Sequence, residues 1–275
     1  MDVFSDKDAL ARIQAATDYP LQRAADGRIV GSFFHCRLGS VFQPVFDLGE
    51  RQVVGHAAYV RSEADQGGGV SPWGVFALAA EDPVLVRLDR LCRTVHALNY
   101  FGAASRRQSL FVGVQPRLLE SVKDGHGRAF ERILDLIGVE TSRVVIEIPA
   151  EVNGDWRLLK HVIVNYRSRG YRIAMNHRGD NEGWMAELGS LYPDFVRLDV
   201  ARLRVASGVR ALVDAIHRFG ATLLVRDVET EQDLVTAVRA GADLLQGRYL
   251  GETVPAVEPL SPRARPQVSH PGGAW

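Results

Sequence analysis

The chain has 275 residues, with 33 Lys+Arg balanced by 33 Asp+Glu. That balance argues against a protein that coats nucleic acid or an anionic membrane. Hydrophobic residues make up 46% and charged residues 24%, ordinary values for a globular chain, so whole-chain disorder is excluded. The length suits one large α/β domain or two small ones and is ample for a buried core.

No apolar run approaches the ~18 residues that a membrane span needs. The start, Met1-Asp2-Val3-Phe4-Ser5-Asp6, is acidic and lacks a basic segment followed by an apolar one. Cys36 and Cys92 are far apart and form no CxxC pair, which argues against a disulfide scaffold and a cysteine zinc site. A reduced, cytoplasmic setting is the default.

In chain order, Ser5 is placed to cap a helix over Asp6–Ala16, and Asp18-Tyr19-Pro20 ends it. Residues 1–37 otherwise read as an irregular extension. Ser40–Phe46 and Gln52–Val60 flank the turn Asp47-Leu48-Gly49-Glu50 and predict an antiparallel hairpin. Ser71-Pro72 opens a helix through Ala80, and Asp82-Pro83 opens a longer one. Its apolar stripe, Val84, Leu88, Leu91, Cys92, Val95 and Leu98, makes Cys92 a core thiol.

Strands and helices then alternate. Strands are predicted at Ser109–Val114, Arg143–Ile148, Tyr171–Met175, Phe195–Asp199, Thr222–Val225 and Asp243–Gln246. Helices are predicted at Arg117–Val122, Arg128–Ile137, Asp155–Arg169, Glu182–Leu188, Val209–Phe219 and Glu231–Ala240. This alternation implies an α/β fold with a largely parallel sheet, and eight strands fit a (β/α)8 TIM-like barrel over residues 38–256. A doubly wound open sheet is the alternative. No GxGxxG or GxxxxGK[ST] favours a nucleotide-binding loop. Residues 257–275, with Pro259, Pro262, Pro266 and Pro271, read as a disordered tail.

In such a barrel the chemistry sits at the carboxyl ends of the strands. Those ends are polar and arginine-rich, with no Ser/His/Asp or Cys/His arrangement and no HxxxH metal spacing. At these residues the chain resembles the EAL domain, the bacterial cyclic di-GMP phosphodiesterase. Val41-Phe42-Gln43-Pro44-Val45-Phe46-Asp47-Leu48 looks like FQPIVDL, and Gly55-His56-Ala57-Ala58-Tyr59-Val60-Arg61 like GxEALxR. Val145–Ala150 is similar to LEITE, Asn176–Gly179 to DDFG, and Phe195–Asp199 to LKID. Val225–Glu231 is similar to AEGVETE, and Ala240–Tyr249 to GCDxxQGY. The resemblance covers roughly residues 38–256 and implies a barrel whose first strand is antiparallel.

It also implies two divalent metals held by acids, and here the departures matter. The signature glutamate is Ala57, the metal-binding asparagine is Gly113, and the second glutamate of LEITE is Ala150. The paired aspartates are Asn176 and His177, the catalytic lysine is Arg197, and the first glutamate of AEGVE is Arg226. Glu147, Asp199, Glu229 and Gln246 are kept, as are Gln43 and Arg61, which line up with family contacts to the nucleotide. Hard divalent cations need several oxygen ligands, and a two-metal site needs two such sets. We therefore expect no catalytic residue, no resident metal and no other cofactor.

The substitutions add more positive charge than two lost divalent metals remove. A pocket of Gln43, Arg61, Glu147, Arg197, Asp199, Arg226, Glu229 and Gln246 could thus hold a cyclic dinucleotide without metal, since arginine pairs well with phosphate. Arg226 is expected to bridge Glu147 and Glu229 in place of the metals. Three readings remain open. One is an inactive regulatory module that binds a signalling protein. The second is a metal-free cyclic di-GMP receptor. The third is an enzyme with a site rebuilt from His177, Asp180, Glu147 and Glu229. A homodimer is compatible with each, and neither nucleic acid nor membrane is an expected partner.

Overall fold

The computed structural model describes residues 6–64, 69–122, 125–177, 188–205 and 208–257. The helix α1 (Asp6–Ala16) leads into β1 (Leu21–Arg23), β2 (Ile29–Phe33), β3 (Cys36–Asp47), β4 (Gln52–Ala64) and β5 (Gly69–Val70). Two helices follow, α2 (Pro72–Leu78) and α3 (Asp82–Phe101). The alternating part runs β6 (Ser109–Gly113), α4 (Pro116–Ser121), α5 (Arg128–Leu136), β7 (Val144–Ile148), α6 (Trp156–Arg167) and β8 (Arg172–Asn176). It ends with β9 (Phe195–Asp199), α7 (Val200–Val205), α8 (Val209–Arg218), β10 (Thr222–Arg226), α9 (Glu231–Ala240) and β11 (Leu244–Leu245).

The sheet closes. Its order is β3-β11-β10-β9-β8-β7-β6-β4, and β4 pairs back onto β3, giving a barrel of eight strands. β3 is antiparallel to both neighbours, and the other seven strands run parallel to one another. The open-sheet alternative is thereby excluded. Strand side chains alternate in and out, and each strand sends one apolar residue to the barrel axis. These are Val45, Ala57, Phe111, Val145, Ala174, Phe195, Leu224 and Leu244, which form a cluster separate from the larger core between strands and helices. Cys92 is 5% exposed in that larger core.

Three features differ from the sequence reading. Residues before 38 are not only an irregular extension: β1 pairs with β2, and β2 pairs with β3, so the sheet begins at Leu21. These strands are short and show no clean polar–apolar alternation. α7 went unread because its six residues are too few for periodicity to register. Val257, assigned to the tail, is 3% exposed and packs in the main core. The helix predicted over 182–188 lies, but for Leu188, outside the described residues, as does the rest of the tail. No described helix is long and apolar enough to cross a membrane.

Candidate functional site

The period-two rule places the site. One step of two residues above the apolar layer, toward the carboxyl ends of the parallel strands, come Gln43, Tyr59, Gly113, Glu147, Asn176, Arg197, Arg226 and Gln246. This polar ring fills the barrel mouth. Arg61 is a further step out on β4, and Asp199 a further step out on β9.

At the centre lies Arg197, 2% exposed, whose Nη1 pairs with Glu147 Oε2. Arg197 Nη2 donates to Gln246 Oε1 at 3.2 Å. Gln246 Nε2 in turn donates to Gln43 Oε1 at 2.9 Å and to the Tyr59 hydroxyl at 2.8 Å. A chain of polar contacts therefore crosses the mouth from β7 to β9, β11, β3 and β4. Burial, followed by the charge of Glu147, raises the Tyr59 pKa above the usual phenol value, so Tyr59 stays neutral here. Glu147 Oε1 is buried with no hydrogen-bond partner.

The other retained acids are also paired. Arg226 binds Asp199, and Arg248 binds Glu229. The bridge expected from Arg226 to Glu147 and Glu229 is not formed. Adjacent strands place Arg226 directly beside Asp199 in register, while Glu147 lies three strands away and is taken by Arg197. Arg61 does not join the central chain either, because its Nε faces Glu63 Oε1 at 3.2 Å. The structure thus brings together Gln43, Glu147, Arg197 and Gln246. Arg226 with Asp199 and Arg248 with Glu229 form two outer pairs, and Arg61 stands apart.

Two members were not singled out in the sequence. Tyr59 stands only within the segment similar to GxEALxR, and its bond to Gln246 needed the fold. Arg248 stands next to the retained Gln246-Gly247, and its pairing with Glu229 also needed the fold. The backbone holding this rim is tightly built. Asp227 adopts a left-handed φ of 59°, where the family motif has glycine. A Cβ on Gly247 would lie 2.1 Å from the Val228 carbonyl oxygen, so that position requires glycine. Asn176 ends β8, and the amide of the next residue, His177, donates to the Arg197 carbonyl at 3.0 Å. Asp180 lies outside the described residues.

A second feature opens beside the mouth. A cavity of about 300 Å³ lies between β4, β6 and the helices α2 and α3. Ala58, Val60, Trp73, Phe76 and Val114 form its apolar walls, and Tyr59 and Gly113 border both it and the mouth. At its floor Arg93 Nη2 lies 2.7 Å from Asp89 Oδ2, with both side chains buried.

A closed (β/α)8 barrel with an antiparallel first strand and a polar ring at its carboxyl end defines the class. Residues 28–253 match the EAL domain family, and the chain belongs to it. It is 28% identical over 221 residues to an uncharacterized EAL-domain containing protein, YkuI, of Bacillus subtilis, covering 76% of this chain and 53% of that one. The chain thus spans about half the length of the curated relative it matches. The crystal structure of YkuI with an EAL domain, in complex with substrate c-di-GMP and calcium, superposes with a TM-score of 0.67 at 26% identity. That match covers 80% of this chain and 56% of the other. The Klebsiella pneumoniae BlrP1 calcium/c-di-GMP complex (TM-score 0.64, 22% identity, 76% and 54% coverage) shares the fold. So does the EAL domain of Mycobacterium smegmatis DcpA (TM-score 0.61, 22% identity, 79% and 93% coverage).

Proposed function

We propose that this chain is a non-catalytic EAL module of cyclic di-GMP signalling that acts by binding another protein in the cytoplasm. The observation that carries the reading is the Arg197–Glu147 pair at the centre of the mouth. The family resemblance assigns Glu147 to metal binding and the position of Arg197 to a catalytic lysine. A guanidinium stays protonated and grips a carboxylate through a planar fork, so it replaces both roles with a fixed ion pair.

Among the described residues, the retained acids do not fit two divalent cations. Glu147, Asp199 and Glu229 each face an arginine. A cation entering the mouth must displace these guanidinium groups and then find its remaining ligands, among the described residues, at Ala57, Gly113, Asn176 and His177. No hydrolytic step is therefore routed through metal. Function in such a barrel then resides in what its surface binds.

The cavity beside the mouth favours a second reading, a metal-free cyclic di-GMP receptor. Its volume is in the range of small-ligand sites, and apolar walls over a buried polar floor are the usual make-up of such sites. Titration calorimetry with cyclic di-GMP, with and without magnesium, separates the readings. The protein-binding module is expected to give no heat in either buffer. Equal heat in both buffers selects the receptor, and heat only with magnesium contradicts both.

A further inference from the structure

We propose that a pocket on the outer extension of β3 and β4 is a binding site for a small phosphate-type oxyanion. It is distinct from the barrel mouth and does not rest on the functional reading above. β3 and β4 run on past the barrel, and there Gly39 pairs with Arg61 and Arg37 with Glu63. The turn before β2, together with the start of β2, leans over them and supplies Asp26 and Arg28. The result is a pocket of about 100 Å³ lined by Arg28, Arg37 and Arg61 with Asp26 and Glu63. That is enough space for one small oxyanion.

Three observations point to an anion. First, Arg37 makes no ion pair among the described residues, and its Nε is buried without a hydrogen-bond partner. A buried donor left unmatched is costly and is relieved by an acceptor. Second, among the described residues three guanidinium groups face two carboxylates, Arg28 pairing with Asp26 and Arg61 with Glu63, which leaves the charge of Arg37 in excess. Arg61 and Glu63 are well exposed, with side chains 59% and 48% accessible, and an exposed pair of this kind is easily exchanged for a better acceptor. Third, residue 39, which lines the pocket, is glycine, and a Cβ there would meet nothing closer than the Arg61 carbonyl at 3.9 Å, so the strand leaves open space on this side.

The other polar groups are already committed. Asn99 exchanges two hydrogen bonds with the Ile29 backbone, at 2.7 and 2.8 Å, and Ser40 Oγ bonds His96 Nδ1 at 2.7 Å. Arg28 and Arg61 are held by Asp26 and Glu63, so the guanidinium of Arg37 is the one in this pocket without a carboxylate among the described residues, and the two neighbouring pairs can turn toward the same anion. That geometry suits a tetrahedral oxyanion, which accepts from several directions, better than a planar carboxylate that takes one fork.

The test titrates the full chain with inorganic phosphate, with guanosine monophosphate and with cyclic di-GMP, followed by calorimetry or phosphorus NMR. Phosphate and the monoester are expected to bind. Arg37→Gln should weaken both by about tenfold or more, the scale of a lost charge-assisted hydrogen bond. Gly39→Leu should abolish binding while melting like the parent. A response to cyclic di-GMP alone overturns the proposal. So does the absence of any response, and so does binding of equal strength in parent, Arg37→Gln and Gly39→Leu, which would mean an adventitious ion only.

Discussion

Arg197 and Arg226 each stand where the family resemblance puts a catalytic or metal-binding residue, yet they occupy very different environments. Arg197 is 2% exposed and pairs with a Glu147 that is 8% exposed. Removing one partner of a buried pair strands the other charge, and such changes cost about 3–5 kcal/mol. The Arg226–Asp199 pair is partly exposed, with side chains 28% and 41% accessible. Exposed pairs contribute about 0–1 kcal/mol. Arg197→Met is therefore expected to destabilise the fold by several kcal/mol and Arg226→Gln by no more than about 1 kcal/mol. Urea denaturation of both variants measures this, and equal losses would mean that the mouth is not organised around Arg197. The residues of the ring were legible in the sequence because the family motifs end the strands. Their partners were not. A motif says that Arg226 ends a strand, but which carboxylate it meets depends on the register between neighbouring strands.

At the level of elements, the rim of the mouth is held by close backbone approach. The loop after β10 rises through Arg226-Asp227-Val228, turns at Thr230, and enters α9. There Thr230 and Asp233 cap each other reciprocally. The segment after β11 lies against this loop, and the Gln246 carbonyl accepts from the Val228 amide at 3.1 Å. Gly247 is the contact point, where a Cβ would stand 2.4 Å from the Val228 nitrogen. Gly247→Ala is expected to cost about 1–3 kcal/mol, the usual penalty for forcing atoms into a packed interior. It should also shift Gln246 and so detach Tyr59. Thermal denaturation, with the near-ultraviolet circular dichroism of the tyrosines, checks both. An unperturbed Gly247→Ala protein would mean that the two segments are not in register. The alternating strands and helices were read from periodicity to within a residue or two at most ends. β1 and β2 were not, since β2 is buried by packing on β3 and α3 and β1 by pairing with β2, rather than by a pattern of their own.

For the whole molecule, the closed barrel follows from the eight strands and the hairpin that makes the first one antiparallel. Between barrel and helices it also buries two histidines that the sequence did not mark. His56 on β4 and His96 on α3 are 7% and 5% exposed. Burial pushes the His56 pKa down to about 4, and burial together with Arg93 pushes that of His96 down to about 3. The unfolded chain takes up these protons near pH 6.5 while the folded chain does not. Stability is thus complete above pH ~6.5 and falls as pH drops toward the folded values, by about 1.4 kcal/mol per unit for each histidine. Between pH 7 and pH 5 the loss should be on the order of 4 kcal/mol, and His96→Gln should remove about half of the dependence. Denaturant midpoints across this range decide it, and a flat profile would show that the histidines protonate in place.

At the mouth, the pairs Arg197–Glu147, Arg226–Asp199 and Arg248–Glu229 stand where the family resemblance implies metals, and we propose that the chain performs no hydrolysis there. The most direct test of this claim is incubation of the purified chain with cyclic di-GMP in magnesium or manganese, with chromatographic measurement of the linear dinucleotide. No product above the buffer control is expected. Turnover that disappears in Glu147→Ala would contradict the claim, because it would show that Glu147 leaves Arg197 and holds a catalytic metal.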